Sequence, residues 1–103
     1  MNIRQFHESL QTIDIDNITF SKHFVKRTKE RGLDHLTDLA TSHNMISTED
    51  PAGIVDQENN KFQVLYRHND KYDVVIIIAV RSTNPFKVSL VTCFPREVER
   101  RIK

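Results

Sequence analysis

His23 and Arg27 stand four residues apart in the stretch Ser21–Leu33, and Arg31 follows at the same interval. In a helix that spacing puts the three on neighbouring turns of one side. A histidine moves protons near neutral pH. An arginine grips a phosphate through two parallel donors. Together they hold the parts for cleaving a phosphodiester: a base for a ribose 2′-OH proton and cations for the charge that grows on phosphorus. This chemistry needs no metal and no cofactor. Lys22 and Lys26 add positive charge that could follow an RNA backbone. The competing reading is a solvated charged face with a chance histidine, and on spacing alone it is the better one.

The stretch carries marks of a helix with both ends fixed. Ser21 is a good N-cap, since its hydroxyl can accept from an orphan N–H of the first turn. Gly32 suits the position after the last turn, where the backbone goes left-handed. At about 100° per residue, His23, Arg27, Glu30 and Arg31 share one side, with Val25 opposite and Phe24 and Thr28 between.

Before this helix, Ile3, Phe6 and Leu10 form an apolar stripe and predict a helix over residues 2–11. Ile18–Phe20 is a short strand or an extended linker. After Gly32, Asp34 is read as the N-cap of another helix that ends near Ser42–Asn44. Residues 45–53 read as a polar loop, and Ile54 and Val55 as a start of the sheet. Lys61–His68 is a strand, Asn69–Lys71 a turn, and Tyr72–Arg81 a second strand. Residues 74–80 of that strand are apolar on both faces, which places it centrally. Ser82–Pro85 is a turn and Phe86–Phe94 a third strand. Pro95 then opens a short charged helix. The expected fold is α+β: N-terminal helices on one face of a three- to four-stranded antiparallel sheet, with a short C-terminal helix.

The sheet supplies further candidates. Arg67, His68 and Arg81 could hold RNA, though strand-end and edge positions favour plain solubilising roles. Thr92 is read on one face with Leu90 and Phe94, which makes it look like a core residue. His35 and His43 lack zinc-motif spacing, and one cysteine, Cys93, adds little to a metal set. No metal site is expected. Cys93 reads as a buried apolar residue.

A chain of 103 residues makes one domain, taken as residues 1–103, with one modest core. The formal net charge of +1 hides a strong asymmetry. Residues 22–31 hold five basic side chains and one acidic, while residues 34–60 hold six acidic ones and no Lys or Arg. A basic face on a near-neutral protein points weakly to a phosphate-bearing ligand. No apolar run approaches the roughly 20 residues of a membrane span. The start of the chain has no apolar signal core. A cytoplasmic protein is expected.

The run Ile18–Leu33 resembles the opening F-S-x-H-x-x-x-R-x-x-x-R-G-[ILV] of a family of small domains from phages and mobile elements. That family is similar to the barnase/colicin/RelE-like superfamily of metal-independent toxin ribonucleases. Asp34–Ser42 resembles the acidic helix that follows its Arg-Gly, and Leu90–Pro95 resembles a late [VI]-[VI]-T-x-[FY] strand. The resemblance implies helices before an antiparallel sheet, with a site between a helix and the sheet. It implies catalytic roles for His23 and Arg27, then Arg31 and Thr92; the basic and strand-end residues Lys22, Lys26, Arg67, His68 and Arg81 are then the candidates to hold RNA. It further implies cleavage to a 2′,3′-cyclic phosphate, and an antitoxin or immunity protein as neutralising partner. Members vary in their catalytic residues, so a non-catalytic RNA- or protein-binding module of the same fold stays open. So does an assembly role through the first helix, which lies outside the resemblance.

Overall fold

The computed structural model describes residues 1–97. Among these residues three helices and one short strand come first, and four strands follow. Helix α1 spans Ile3–Gln11 and is closed by a capping box between Asn2 and Gln5. A 3-10 turn at Ile15–Asn17 leads into strand β1, Ile18–Phe20. Helix α2 is Lys22–Glu30. A second 3-10 turn, Asp34–Thr37, precedes helix α3, Leu39–Thr48. Strands β2 (Gly53–Asp56), β3 (Lys61–Arg67), β4 (Tyr72–Thr83) and β5 (Phe86–Glu97) complete the described residues.

The class is α+β as expected, but the sheet has five strands, in the order β1-β5-β4-β3-β2. It is mixed rather than antiparallel, because β1 runs parallel to β5 with Ile18 opposite Val88. The other neighbouring strands are antiparallel. β4 is central, as its two-sided apolar run requires. Asn69–Lys71 turns the chain between β3 and β4.

Three further expectations need correction. The helix set at Asp34 is a 3-10 turn, and the α-helix begins after Asp38 and runs to Thr48. Part of the expected polar loop is therefore helical, and Met45 and Ile46 in it are core residues. Pro95 opens no helix: Pro95–Glu97 continue β5 and pair with Tyr72–Val74. The rest of that expected helix lies outside the described residues. A proline fits there because β5 is bonded to β4 on one side only at this end of the sheet. Finally, Ile3 is 41% exposed, so α1 contacts the core through Phe6 and Leu10.

The core lies between the helices and one sheet face. Phe6, Leu10, Phe24, Leu36 and Ile46 from the helical half meet Phe62, Val64, Tyr66, Val74, Ile76, Ile78, Leu90 and Cys93. Phe6 stacks on Phe62 with ring centroids 4.0 Å apart, which fixes α1 over β3. Strand alternation turns Val75, Ile77 and Ala79 to the opposite face.

Candidate functional site

The ends of α2 are marked as the sequence requires. The Ser21 hydroxyl accepts from the Phe24 N–H at 2.9 Å. Gly32 takes a φ of +66° after the last turn, a left-handed conformation that costs glycine little. Phe24 and Thr28 form the buried face, and Phe24 also stacks on Phe20 at 5.2 Å. Val25 is only half-buried, so the core lies to the Phe24–Thr28 side of the helix rather than directly opposite His23.

Two side chains of α2 hold the helix against β5. The Ser21 hydroxyl donates to the Val91 carbonyl at 2.7 Å while serving as the cap. Arg31 donates from Nη1 to the Cys93 carbonyl at 2.6 Å, and its guanidinium lies 5.9 Å from the centre of the Phe94 ring. These bonds satisfy carbonyls of β5 beyond the three residues that β1 pairs. Arg31 is therefore committed to β5, and its remaining donors lie near Phe94 rather than in the contact between His23 and Arg27.

The outward face of α2 carries a contact chain. Arg27 Nε donates to His23 Nε2 at 3.3 Å. Arg27 Nη1 donates to a Glu30 carboxylate oxygen at 2.9 Å. In this arrangement His23 Nε2 serves as a hydrogen-bond acceptor. A guanidinium has five N–H donors, so Arg27 keeps three for an anion. Lys22 and Lys26 are exposed on the same helix.

Thr92 lies between the two anchor points of α2 on β5. The sequence puts it on one face with Leu90, but the structure separates them. The register of β4 and β5 shifts between Ile77 and Ile78, so Thr92 opposes Ile77 while Leu90 opposes Ile78. The extra residue, Val91, is a bulge that reverses the alternation. Leu90 is buried in the core, and Thr92 is half-buried on the opposite face with Phe94.

The remaining RNA-contact candidates do not join this group. Arg67 and His68 line a cleft of about 510 Å³ between the Asp34–Thr37 turn, α3 and β3. Arg81 borders a smaller hollow of about 200 Å³ with Asp16, Thr19 and Lys87. Arg67 opposes Asp73, and Asp73 and Arg81 lie eight residues apart on β4. At about 3.3 Å per residue the two arginines mark positions roughly 26 Å apart along the sheet.

The cleft contains residues that sequence spacing does not connect. His35 stacks near-parallel on His68, with centroids 5.9 Å apart and planes 12° apart. Tyr66 and Glu49 also line it. Burial, reinforced by the Glu49 charge, pushes the Tyr66 phenol far above its ordinary value. The only sequence signal was that Tyr66 and His68 share a strand face. His43 has a structural task, with Nε2 2.9 Å from the Ile13 carbonyl. Cys93 is buried, and burial pushes its thiol up to about 11 against the lowering effect of Arg31. Among the described residues no group of three or more His, Cys, Asp or Glu is placed to hold a metal ion. Nor is any described helix long and apolar enough to cross a membrane.

No curated protein and no solved structure matches the chain. A family match does exist, over residues 4–78. It takes in α2 and the cleft residues and stops before β5, so Thr92 falls outside it. It spans well over half of the sequence, and the chain belongs to the MJ0788 family.

Proposed function

We propose that this protein is a metal-independent endoribonuclease of the toxin type, related to the barnase/colicin/RelE-like superfamily. The observation that carries the reading is the contact between His23 and Arg27 on the outer face of α2. It pairs a proton acceptor with a multi-donor cation at one spot. RNA would lie across α2 and the sheet face that bears Thr92 and Phe94. Arg27 Nε leaves His23 Nε2 for the phosphate, the freed His23 Nε2 takes the 2′-OH proton, and the 2′-oxygen attacks phosphorus. The bond from phosphorus to the 5′-oxygen breaks, and the leaving oxygen takes a proton from solvent water. The products are a 2′,3′-cyclic phosphate and a 5′-hydroxyl. Arg27 stabilises the charge on the phosphoryl oxygens with the donors that Glu30 does not hold. Lys22 and Lys26 hold flanking phosphates, and Arg31 keeps α2 against β5. The proposed setting is the cytoplasm, with an antitoxin or immunity protein covering the basic face.

A second reading keeps RNA binding and drops cleavage. It is favoured by the Glu30 carboxylate, which already offsets part of the Arg27 charge. One experiment separates the two. Purified protein is incubated with total RNA in EDTA, and the fragment ends are identified. Cyclic phosphate ends that vanish in His23→Ala and Arg27→Ala support the nuclease. Salt-sensitive RNA binding without fragments supports the binding module. Neither cleavage nor binding defeats both.

A further inference from the structure

The cleft between the Asp34–Thr37 turn, α3 and β3 is not part of the α2 face, and no α2 residue lines it. Its volume of about 510 Å³ falls among pockets that take small organic ligands, roughly 300–1,000 Å³. Three features narrow the kind of ligand.

The first is the pair of rings. His35 and His68 are both exposed and lie near-parallel. Their faces form a platform on which a flat, unsaturated ring can stack. The second is Tyr66. It is 2% exposed, and its hydroxyl lies close enough to Glu49 to feel the carboxylate charge. Its phenol stays protonated, so where Tyr66 lines the cleft its hydroxyl is a donor that can be offered to a ligand acceptor. The third is the division of charge and polarity. Arg67 is an exposed cation at the rim, Glu49 is an anion on α3, and Leu36, Met45 and Val74 give an apolar floor. A bare phosphate would satisfy Arg67 and leave the floor and rings empty. A purely apolar ligand would leave Tyr66 and Arg67 unused.

A ligand with a flat ring bearing acceptors, joined to one anionic group, satisfies all three. We infer that the cleft is a subsite for one nucleotide unit of single-stranded RNA, with the base against His35 and His68, the Tyr66 hydroxyl donating to it, and Arg67 on its phosphate. Glu49 repels the phosphate from α3 and so fixes the direction in which the unit enters. The naming of RNA as the natural ligand rests on the proposed function, while the recognition of a nucleotide rests on the cleft alone. For a nuclease the subsite would choose which residue of the strand is presented to α2. For a binding module it would be the principal site of sequence preference.

The test uses the full chain and five probes: AMP, GMP, CMP, UMP and inorganic phosphate. Binding is followed through the NMR signals of the histidine and tyrosine rings. At least one nucleotide should shift His35, His68 and Tyr66 and bind at least about tenfold tighter than inorganic phosphate. His68→Ala should weaken that nucleotide by about tenfold, since stacking on a ring carries a contribution of this order. Tyr66→Phe, which keeps the buried ring and the fold, should weaken it by a smaller factor. His23→Ala should leave the shifts at His35, His68 and Tyr66 unchanged, since no α2 residue lines the cleft. The inference is overturned if no nucleotide moves these signals, if phosphate binds as tightly, or if His68→Ala and Tyr66→Phe are both silent. Nucleotide binding by a protein that cleaves no RNA would keep the subsite and remove the nuclease reading. RNA cleavage by a protein that binds no nucleotide in the cleft would do the reverse.

Discussion

His23 and Arg27 touch because they lie one helical turn apart. His35 and His68 touch across the molecule, one in a 3-10 turn after α2 and the other just past the end of β3. The α2 group exists wherever α2 is helical. The cleft group exists only once the helices have packed on the sheet. The two regions also use charge differently. The α2 face gathers cations and offsets one of them with Glu30. The cleft sets Arg67 and Glu49 on different elements around an apolar floor. A helical turn can hold a reacting pair at fixed spacing, but it makes no cavity. Enclosing a base takes elements from separate parts of the chain. We therefore assign chemistry to the first region and recognition to the second.

The largest expected effect would break this division directly. His23→Ala and Arg27→Ala should each lower RNA cleavage by about a hundredfold or more, in line with loss of a positioned acid–base group. Both side chains lie on the outer face, so the unfolding free energy should shift by less than about 0.5 kcal/mol. His68→Ala should lower cleavage less than about tenfold and change which fragments dominate. If His68→Ala abolished cleavage and His23→Ala did not, the roles of the two regions would be reversed.

Next in size are the anchors of α2. Arg31→Ala removes a charge-assisted bond to the Cys93 carbonyl and the contact with Phe94, and should destabilise the fold by about 1.5–2 kcal/mol. Ser21→Ala removes both the cap and the bond to Val91 and should cost about 1–2 kcal/mol. Urea unfolding measures both. Arg31→Lys should recover little, since an ammonium lacks the planar fork that bonds the carbonyl and stacks on the ring together. An Arg31→Ala protein of unchanged stability and lost cleavage would move Arg31 from anchor to catalytic residue.

Why was one region legible in the sequence and the other not? α2 is specified by neighbours: Ser21 and Gly32 close its ends, and four-residue spacing sets its charged face. The strands β3 and β4 were equally plain from their apolar runs. What failed depended on pairing between distant segments. β1 is three residues long, and its strand character comes from the parallel partner β5. The bulge at Val91 has no local marker, so plain alternation puts Thr92 with Leu90 where the register separates them. Asp34 looked like a cap, yet its side chain caps nothing. Ser42, eight residues further along, carries the local constraint instead: it is buried and its hydroxyl bonds the Leu36 carbonyl. The cleft has no local signature, because His35 and His68 lie 33 residues apart and only the packing of the Asp34–Thr37 turn beside β3 brings them together.

Gly32 offers a smaller test of the α2 end. A Cβ there meets no atom within 4 Å, so Gly32→Ala introduces no clash. The left-handed φ alone should cost about 1 kcal/mol. The Asp34–Thr37 turn follows directly, so any local fraying should reach His35. The stacking signal of His35 and His68 should then weaken in NMR while the contact of His23 and Arg27 persists. Equal loss at both places would show that the two regions are not separable.

The last effect is confined to alkaline pH and concerns Cys93 and Tyr66, one in each region. Cys93 lies under α2, and its thiol is raised from 9.0 to about 11 by burial, with Arg31 opposing. Tyr66 lies in the cleft and is raised from 10.0 by burial and by Glu49. Each holds its proton more firmly folded than unfolded. Between about pH 9 and pH 11 the unfolded chain therefore releases protons that the folded chain keeps. Stability from these groups is fully present below pH 9 and falls as the pH rises through that window. Melting temperatures measured from pH 8 to pH 11 should show a decline. Cys93→Ser should flatten its lower part, near the ordinary thiol value, and Tyr66→Phe the part that begins near pH 10. Arg31→Ala adds a sign of its own: without the cation that lowers it, the Cys93 thiol should rise further, and the decline should extend to higher pH. A decline unchanged in all three variants would mean that neither acid is shielded as the packing of α2 and of the cleft requires.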